Sequence, residues 1–272
     1  QPQLQVKTGD VITKINGVNV LEVAHINQLL NKKEGQEVRL SLKNQSGKEY
    51  DQIVKPVSMG IDADLRYSEW EHTRRLEVES KTENKVGYFH LRAMGGANFD
   101  EFVKGYYPVF DREGLIIDVR SNRGGNIDSW ILNRLLRKAW FYWQSRAGKP
   151  YWNMQYAFRG HIVVLCNEST ASDGEAFAEG IKQMDIGEVI GTRTWGGLVG
   201  MSGNAGLVDG GYISIPQFGI YDENEQWIIE GVGVSPDIEV VDRPEQLAKG
   251  VDPCIEKAVE VLLKQLQEKP VK

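Results

Sequence analysis

Apolar and polar positions alternate in two different ways along this chain. Up to residue 58 the apolar runs are short and bounded by turns. "DVITKI" (10–15) and "EVRLSLKN" (37–44) read as strands, and Asn16–Gly17 supplies residues suited to a turn with positive φ. "EVAHINQLLNKK" (22–33) has apolar residues at helical spacing and predicts a helix closed by Gly35. Pro56 and the "SMG" that follows mark a boundary.

Beyond the boundary, "DLRYSEWEHTRRLEVESKT" (64–82) is charged and helical in period, an exposed linking helix. Strand and helix patterns then take turns. "KVGYFHLRAM", "GLIIDVR", "GHIVVLCN" and "GEVIGT" read as strands; "FDEFVKGYYPVF", "IDSWILNRLLRKAWFYW" and "DGEAFAEGIKQM" read as helices. Short apolar strands alternating with helices imply right-handed crossovers, hence an α/β fold with a mostly parallel sheet and helices packed on it. The aromatic run "AWFYW" (139–143) reads as core or subunit interface, and "DPCIEKAVEVLLKQLQE" (252–268) as an amphipathic docking or surface helix.

Composition narrows the classes. The 272 residues, 41% of them hydrophobic, suffice for one good core and a second small one. A net charge of −6 argues against a nucleic-acid partner, which favours a basic face. No run approaches the ~18 apolar residues of a membrane span, so no membrane partner is expected. "QPQLQVKTGD" has neither a leader pattern nor an initiator Met and reads as the middle of a longer protein. Cys166 and Cys254 make no disulfide framework, no HExxH or paired Cys/His spacing supports a metal, and no phosphate-binding loop motif is present; no cofactor is expected.

In open α/β sheets, ligands gather where loops leave the carboxyl ends of the strands. Two such loops stand out. In "DVRSNRGGNI", Gly124 and Gly125 precede a helix, where a backbone without Cβ atoms can present N–H groups to an anion or a developing oxyanion; an ordinary tight turn needs the same residues. In "CNESTASDGEAFAEG" (166–180), Ser172 sits where a strand turns sharply into a helix, the place of a nucleophile elbow. The Gly-x-Ser-x-Gly pattern is half met, with Thr170 in place of the first glycine and Gly174 at the second. Ser172 and Glu175 also form S-x-x-E, a capping box that needs no chemistry. A glycine loop after one strand and a serine elbow after a later one are together what acyl transfer requires.

Five pieces, "GYFHL", "DVRSNRGG", "NESTASDGE", "GTRTWGG" and "IEGVGVSPDIEV", occur in the order and at the spacing of the tricorn protease family, and residues 59–265 resemble its C-terminal catalytic region. "TGDVITKINGVNV" through "DQIVKP" resembles the C-terminal two-thirds of a PDZ domain. The resemblance implies a partial PDZ-like domain (1–58) and a serine peptidase domain (59–272) of crotonase/ClpP-like fold acting on oligopeptides. It places the nucleophile at Ser172, the oxyanion-binding N–H groups at Gly125 and Asp173 beside Gly124, and the charge-relay glutamate at Glu230. The tail-specific proteases share the fold but use a lysine directly after a GxxTxG motif, and Gly197 occupies that position here.

Ser172 therefore needs another base. Of the four histidines, His25 lies on the PDZ-like segment, His72 on the linking helix and His161 at the far end of a strand, leaving His90 as the nearest candidate. In tricorn-like enzymes the histidine precedes the PDZ domain, so the expectation is a base supplied by an upstream segment, with the isolated 272 residues inactive. The resemblance further implies a homo-oligomeric full-length protein, cytoplasmic or, as in exported bacterial homologues, periplasmic. The rival readings are a non-catalytic ligand- or peptide-binding protein on the same fold and an acyl-CoA enzyme of the crotonase type.

Overall fold

The computed structural model describes residues 4–201 and 203–271, in two compact units that divide at Trp70–Glu71. The first unit is an antiparallel sheet in the order β2-β1-β3-β4, from β1 (Val11–Ile15), β2 (Val18–Asn19), β3 (Val38–Lys43) and β4 (Glu49–Val54). Asn16 and Gly17 take φ of 50° and 86° and close the β1–β2 hairpin. Along β3, Val38, Leu40 and Leu42 point inward and join Ile15 in a small core. The helix predicted over 22–33 is much shorter. A 3-10 turn (Val20–Glu22) precedes a single turn, α1 (Asn27–Leu30), and Lys32 has left helical space with φ 56°. Val23, Ile26, Asn27 and Asn31 are poor helix formers, and so short a segment does not repay the cost of nucleation.

Helix α2 (Met59–Lys81) carries residues on both sides of the division. In the second unit come β5 (Val86–His90), α3 (Asn98–Tyr106), β6 (Gly114–Asp118) and α4 (Asp128–Leu135). A two-stranded ribbon follows, β7 (Tyr142–Trp143) with β8 (Tyr151–Trp152), then β9 (His161–Cys166), α5 (Asp173–Gln183) and β10 (Glu188–Gly191). A second ribbon, β11 (Gly203–Gly206) with β12 (Tyr212–Ile215), precedes β13 (Ile238–Glu239), α6 (Pro244–Leu247) and α7 (Pro253–Glu268).

The main sheet has the order β13-β10-β9-β6-β5 and every pairing in it is parallel. The strands are laid down in one direction across the sheet. Right-handed crossovers must then put α3, α4 and α5 on the same face, and they do. Leu115, Ile117, Val164 and Cys166 pack there against Phe102, Ile131 and Phe177. The alternate residues, Ile116, Val163 and Leu165, face the other way and are covered by Ile255, Ala258 and Leu262 of α7 and by Val78 of α2. The last helix, expected to dock or lie on the surface, is thus half of a core layer. Burial on both faces is why these strands read as unbroken apolar runs.

The helix predicted through residue 143 ends at Leu135. Its apolar stripe, Ile131–Leu132–Leu135, is spent there, and the aromatic residues beyond adopt the extended geometry they favour in the β7–β8 ribbon. Trp140 and Trp143 are 73% and 53% exposed, so "AWFYW" is not core within this chain.

Candidate active site

The loops after β6, β9 and β10 emerge side by side at the carboxyl edge of the sheet, because the three strands are neighbours in parallel. Backbone and side-chain bonds stitch the first two together. The Thr170 hydroxyl donates to the Val119 carbonyl at 2.8 Å, and the Ala171 N–H donates to the Asn122 carbonyl at 2.9 Å. Asn122 is fully buried; its amide donates to the Leu91 carbonyl (2.6 Å) and its oxygen accepts from the Gly124 N–H (2.8 Å).

Ser172 has φ 54° and ψ −124°, a conformation costly for any residue with a Cβ, of the order of 1–3 kcal/mol. It is the N-cap of α5, and the capping box read from the sequence is present: its N–H donates to Glu175 Oε2 at 3.0 Å. Capping alone does not require the strain. The Glu175 N–H also reaches the Ser172 carbonyl at 2.8 Å, so the hydroxyl is not needed as its acceptor.

Gly124 and Gly125 are required by contact. A Cβ on Gly124, whose φ is 80°, would lie 2.4 Å from the Ser172 Cβ and 2.9 Å from its Oγ. A Cβ on Gly125 would lie 1.9 Å from the Met94 carbonyl oxygen. The segment at Met94 is bridged to Gly125 through Met94 N–H to the Gly124 carbonyl and Asn126 N–H to the Met94 carbonyl, both 2.8 Å. In that parallel pattern the Gly125 N–H faces the other way. The Asp173 N–H opens a helix and has no intrahelical partner. Among the described residues neither N–H has an acceptor; one belongs to the residue after Ser172, the other to the residue after Gly124, which lies against Ser172.

Two carboxylates leave the first turn of α5 in different directions. Asp173 Oδ2 accepts from the N–H groups of Ile127 (2.7 Å) and Asp128 (3.0 Å) at the start of α4. Burial, and after it the neighbouring Asp128 carboxylate, push the Asp173 carboxyl up to about 6. Glu175 is fully buried and accepts four bonds. Thr194 Oγ1 (2.6 Å) and the Gly196 N–H (2.7 Å) donate to Oε1; the N–H groups of Gly197 and Ser172, both at 3.0 Å, donate to Oε2. Gly197, in the position a tail-specific protease would give to lysine, contributes only this N–H.

The segment 194–197 in turn holds the turn bearing Glu230. The Gly231 N–H donates to the Gly196 carbonyl at 2.9 Å, and the Val234 N–H to Thr194 Oγ1 at 2.7 Å. Ile229, β-branched and 3% exposed, has φ 67°, and the Glu230 N–H bonds back to the Ile228 carbonyl at 2.8 Å. That is a three-residue turn of the strained hand. The Glu230 carboxylate is exposed and has no partner among the described residues. A chain of three hydrogen bonds, through Glu175 and Gly196, joins Ser172 to the residue after Glu230.

His90 ends β5, two strands from β9 and so about 10 Å across the sheet, and its Nε2 lies 2.8 Å from the Arg120 carbonyl. His161 opens β9 at the end away from the elbow, with Nε2 2.8 Å from the Lys269 carbonyl. His72 lies on α2, its Nδ1 beside the Arg75 guanidinium at 3.1 Å, and His25 Nδ1 accepts from the Asn27 N–H at 3.2 Å. The Asp118 and Arg120 of "DVRSNRGG" serve structure: Arg120 pairs with Asp118 (2.6 Å), Asp242 (2.7 Å) and Asp252 (2.9 Å). Burial would raise the Asp118 carboxyl, but the guanidinium outweighs it and holds the group below the usual carboxylate range.

A groove of about 410 Å³ runs between α4, α5 and the segment before Glu230, lined by Leu132, Met184, Tyr221 and Ile228 with Asp128 and Glu179 on its walls. Among the described residues no group of three His, Cys, Asp or Glu could hold a metal ion, and no helix is long and apolar enough to cross a membrane.

The role of Glu175 as an acceptor for both its own helix start and the segment 194–197, and of Asn122 and Thr194, was not legible in the sequence. S-x-x-E announced a helix start, and nothing local says that its carboxylate faces residues 20 positions away.

Comparison with known proteins identifies the family. A family model of peptidase family S41 matches residues 85–240, and one of the tricorn protease PDZ domain matches residues 1–59. The chain is 34% identical over 271 residues to tricorn protease homolog 1 of Streptomyces coelicolor, covering 100% of this chain and 25% of the relative. It is 32% identical over 262 residues to the tricorn protease of Thermoplasma acidophilum, covering 96% and 24%. A crystal structure of the tricorn protease superposes with a TM-score of 0.85 at 31% identity, over 96% of this chain and 25% of that one. The chain spans about a quarter of the length of the curated relatives it matches. It belongs to peptidase family S41, and within that family it stands with the tricorn proteases.

Proposed function

We propose that this chain is the catalytic portion of a serine endopeptidase that cleaves oligopeptides through an acyl-enzyme. Ser172 Oγ attacks the scissile carbonyl carbon while its proton passes to a histidine. The N–H groups of Gly125 and Asp173 hold the oxyanion. The C–N bond then breaks as the histidine returns the proton to the leaving amine, and water repeats the sequence to release the acid and restore Ser172. Glu230 orients the histidine, which comes from a segment outside these 272 residues and most simply precedes the PDZ-like region. The groove beside α5, with Asp128 and Glu179 on its walls, suits a substrate side chain with an apolar stem and a cationic end. The whole protein would act as a cytoplasmic homo-oligomer.

The observation that carries this reading is the strained Ser172, backed by Gly124, with N–H groups without acceptors on the residues that follow each of the two. The test is intact mass after a fluorophosphonate, on the 272 residues and on the full-length protein, each with and without Ser172→Ala. A Ser172-dependent adduct on the full-length protein alone supports nucleophile and remote base together. Labelling of the short chain as well would return the base to one of its own histidines, His90 first. If neither labels while both are folded, the binding-protein reading replaces this one.

A further inference from the structure

The Asp173 side chain does something that capping its own helix does not explain. Its residue is 7% exposed, and its Oδ2 reaches across to the start of α4, accepting from Ile127 and Asp128. Helix α4 has no cap of its own: its N-cap position is Ile127, whose side chain offers no acceptor. Asp173 therefore supplies that cap from another segment. Ile127 is only two residues beyond Gly125. On its other side Gly125 is bridged to Met94, through Asn126 N–H to the Met94 carbonyl at 2.8 Å. The loop bearing the Gly125 N–H is thus gripped twice, and one of the grips is the side chain of the residue whose own N–H is the second candidate donor.

We infer that the Asp173 carboxylate is a positioning residue for acyl transfer, holding the Gly125 N–H in register with the N–H of Asp173 itself. The inference rests on Ser172 being the nucleophile. Oxyanion donors act only when they are fixed where the charge will form, and each is worth about 100–1000-fold in rate. A displacement of about 1 Å costs roughly 100-fold. Letting the α4 loop go would weaken one donor of the two.

The test uses the full-length protein and reads two quantities: kcat and KM for a peptide, and the affinity of a peptide aldehyde whose adduct with serine carries the oxyanion. Asp173→Ala is expected to lower kcat about 10- to 100-fold with KM within a few-fold, and to weaken the aldehyde in proportion. Asp173→Asn keeps an acceptor oxygen and is expected to recover the larger part of that loss. Should Asp173→Ala not fold, Asp173→Glu retains charge and acceptor but lengthens the tether by one methylene, and is expected to lower kcat and aldehyde affinity together. If Asp173→Ala or Asp173→Glu lowers only the melting temperature, with kcat and aldehyde affinity unchanged, Asp173 is a cap and the inference fails. If Ser172→Ala hydrolyses peptide at the natural rate, the nucleophile assignment falls and this inference with it. Loss of activity in Ser172→Ala beside an unaffected Asp173→Ala overturns only the inference.

Discussion

The turn at Ser172 and the turn at Glu230 are both strained, and they are held in opposite ways. Ser172 is enclosed: Gly124 lies against its side chain, Glu175 takes its N–H, and the bond from Ala171 to Asn122 anchors the residue before it. At Glu230 the strain is displaced one residue, onto the buried Ile229, and the carboxylate itself stands exposed. Under the proposed mechanism the contrast has a reason: a side chain that attacks a carbonyl gains from being fixed, and one that serves through a partner gains from a carboxylate left open.

The largest break in this comparison comes from Gly124→Ala. The new Cβ, at positive φ and 2.4 Å from the Ser172 Cβ, forces the two loops apart. Phosphonylation by a fluorophosphonate in the full-length protein should slow at least ~100-fold, since misplacement near 1 Å costs that much. An unchanged rate would mean that Gly124 does not back Ser172.

Glycine at the two strained positions should separate them. Ile229→Gly relieves the turn but empties a buried site, and a net loss of about 2–3 kcal/mol is expected in urea unfolding. Ser172→Gly relieves strain without opening a core cavity, and a gain of about 1 kcal/mol is expected after the entropy cost of glycine. Opposite signs would sharpen the contrast; two losses would deny that Ser172 is strained.

The gentlest probe is pH. Asp173 has its carboxyl raised from 3.8 to about 6, first by burial and then by Asp128. A raised acid stabilises the fold most below its unfolded value, and that contribution is lost as pH rises through about 6. Stability should therefore decline between pH 4 and 7 from this pair, by something on the order of 1–2 kcal/mol. Asp128→Asn should flatten the decline in pH-dependent denaturant midpoints. A slope unchanged by Asp173→Asn as well would place the titration elsewhere.

Much is readable in the sequence alone. Unbroken apolar runs such as "HIVVLC", alternating with amphipathic segments, can be buried only as central parallel strands between helix layers, so pattern determined the α/β class. The glycines of "RSNRGG" and the serine of "TASDGE" declared themselves because turns and helix starts have local chemistry. Pattern failed where local preference was weak: α1 shrank to a turn, and α4 stopped once its apolar stripe ended. Only tertiary structure decided that Gly124 touches Ser172, that Asp173 caps a different helix, and that Glu175 gathers N–H groups from residues 196 and 197. The reason is physical. A helical or strand period is written in neighbouring residues, whereas the direction of a buried carboxylate is set by which unsatisfied N–H groups the folded sheet brings to it.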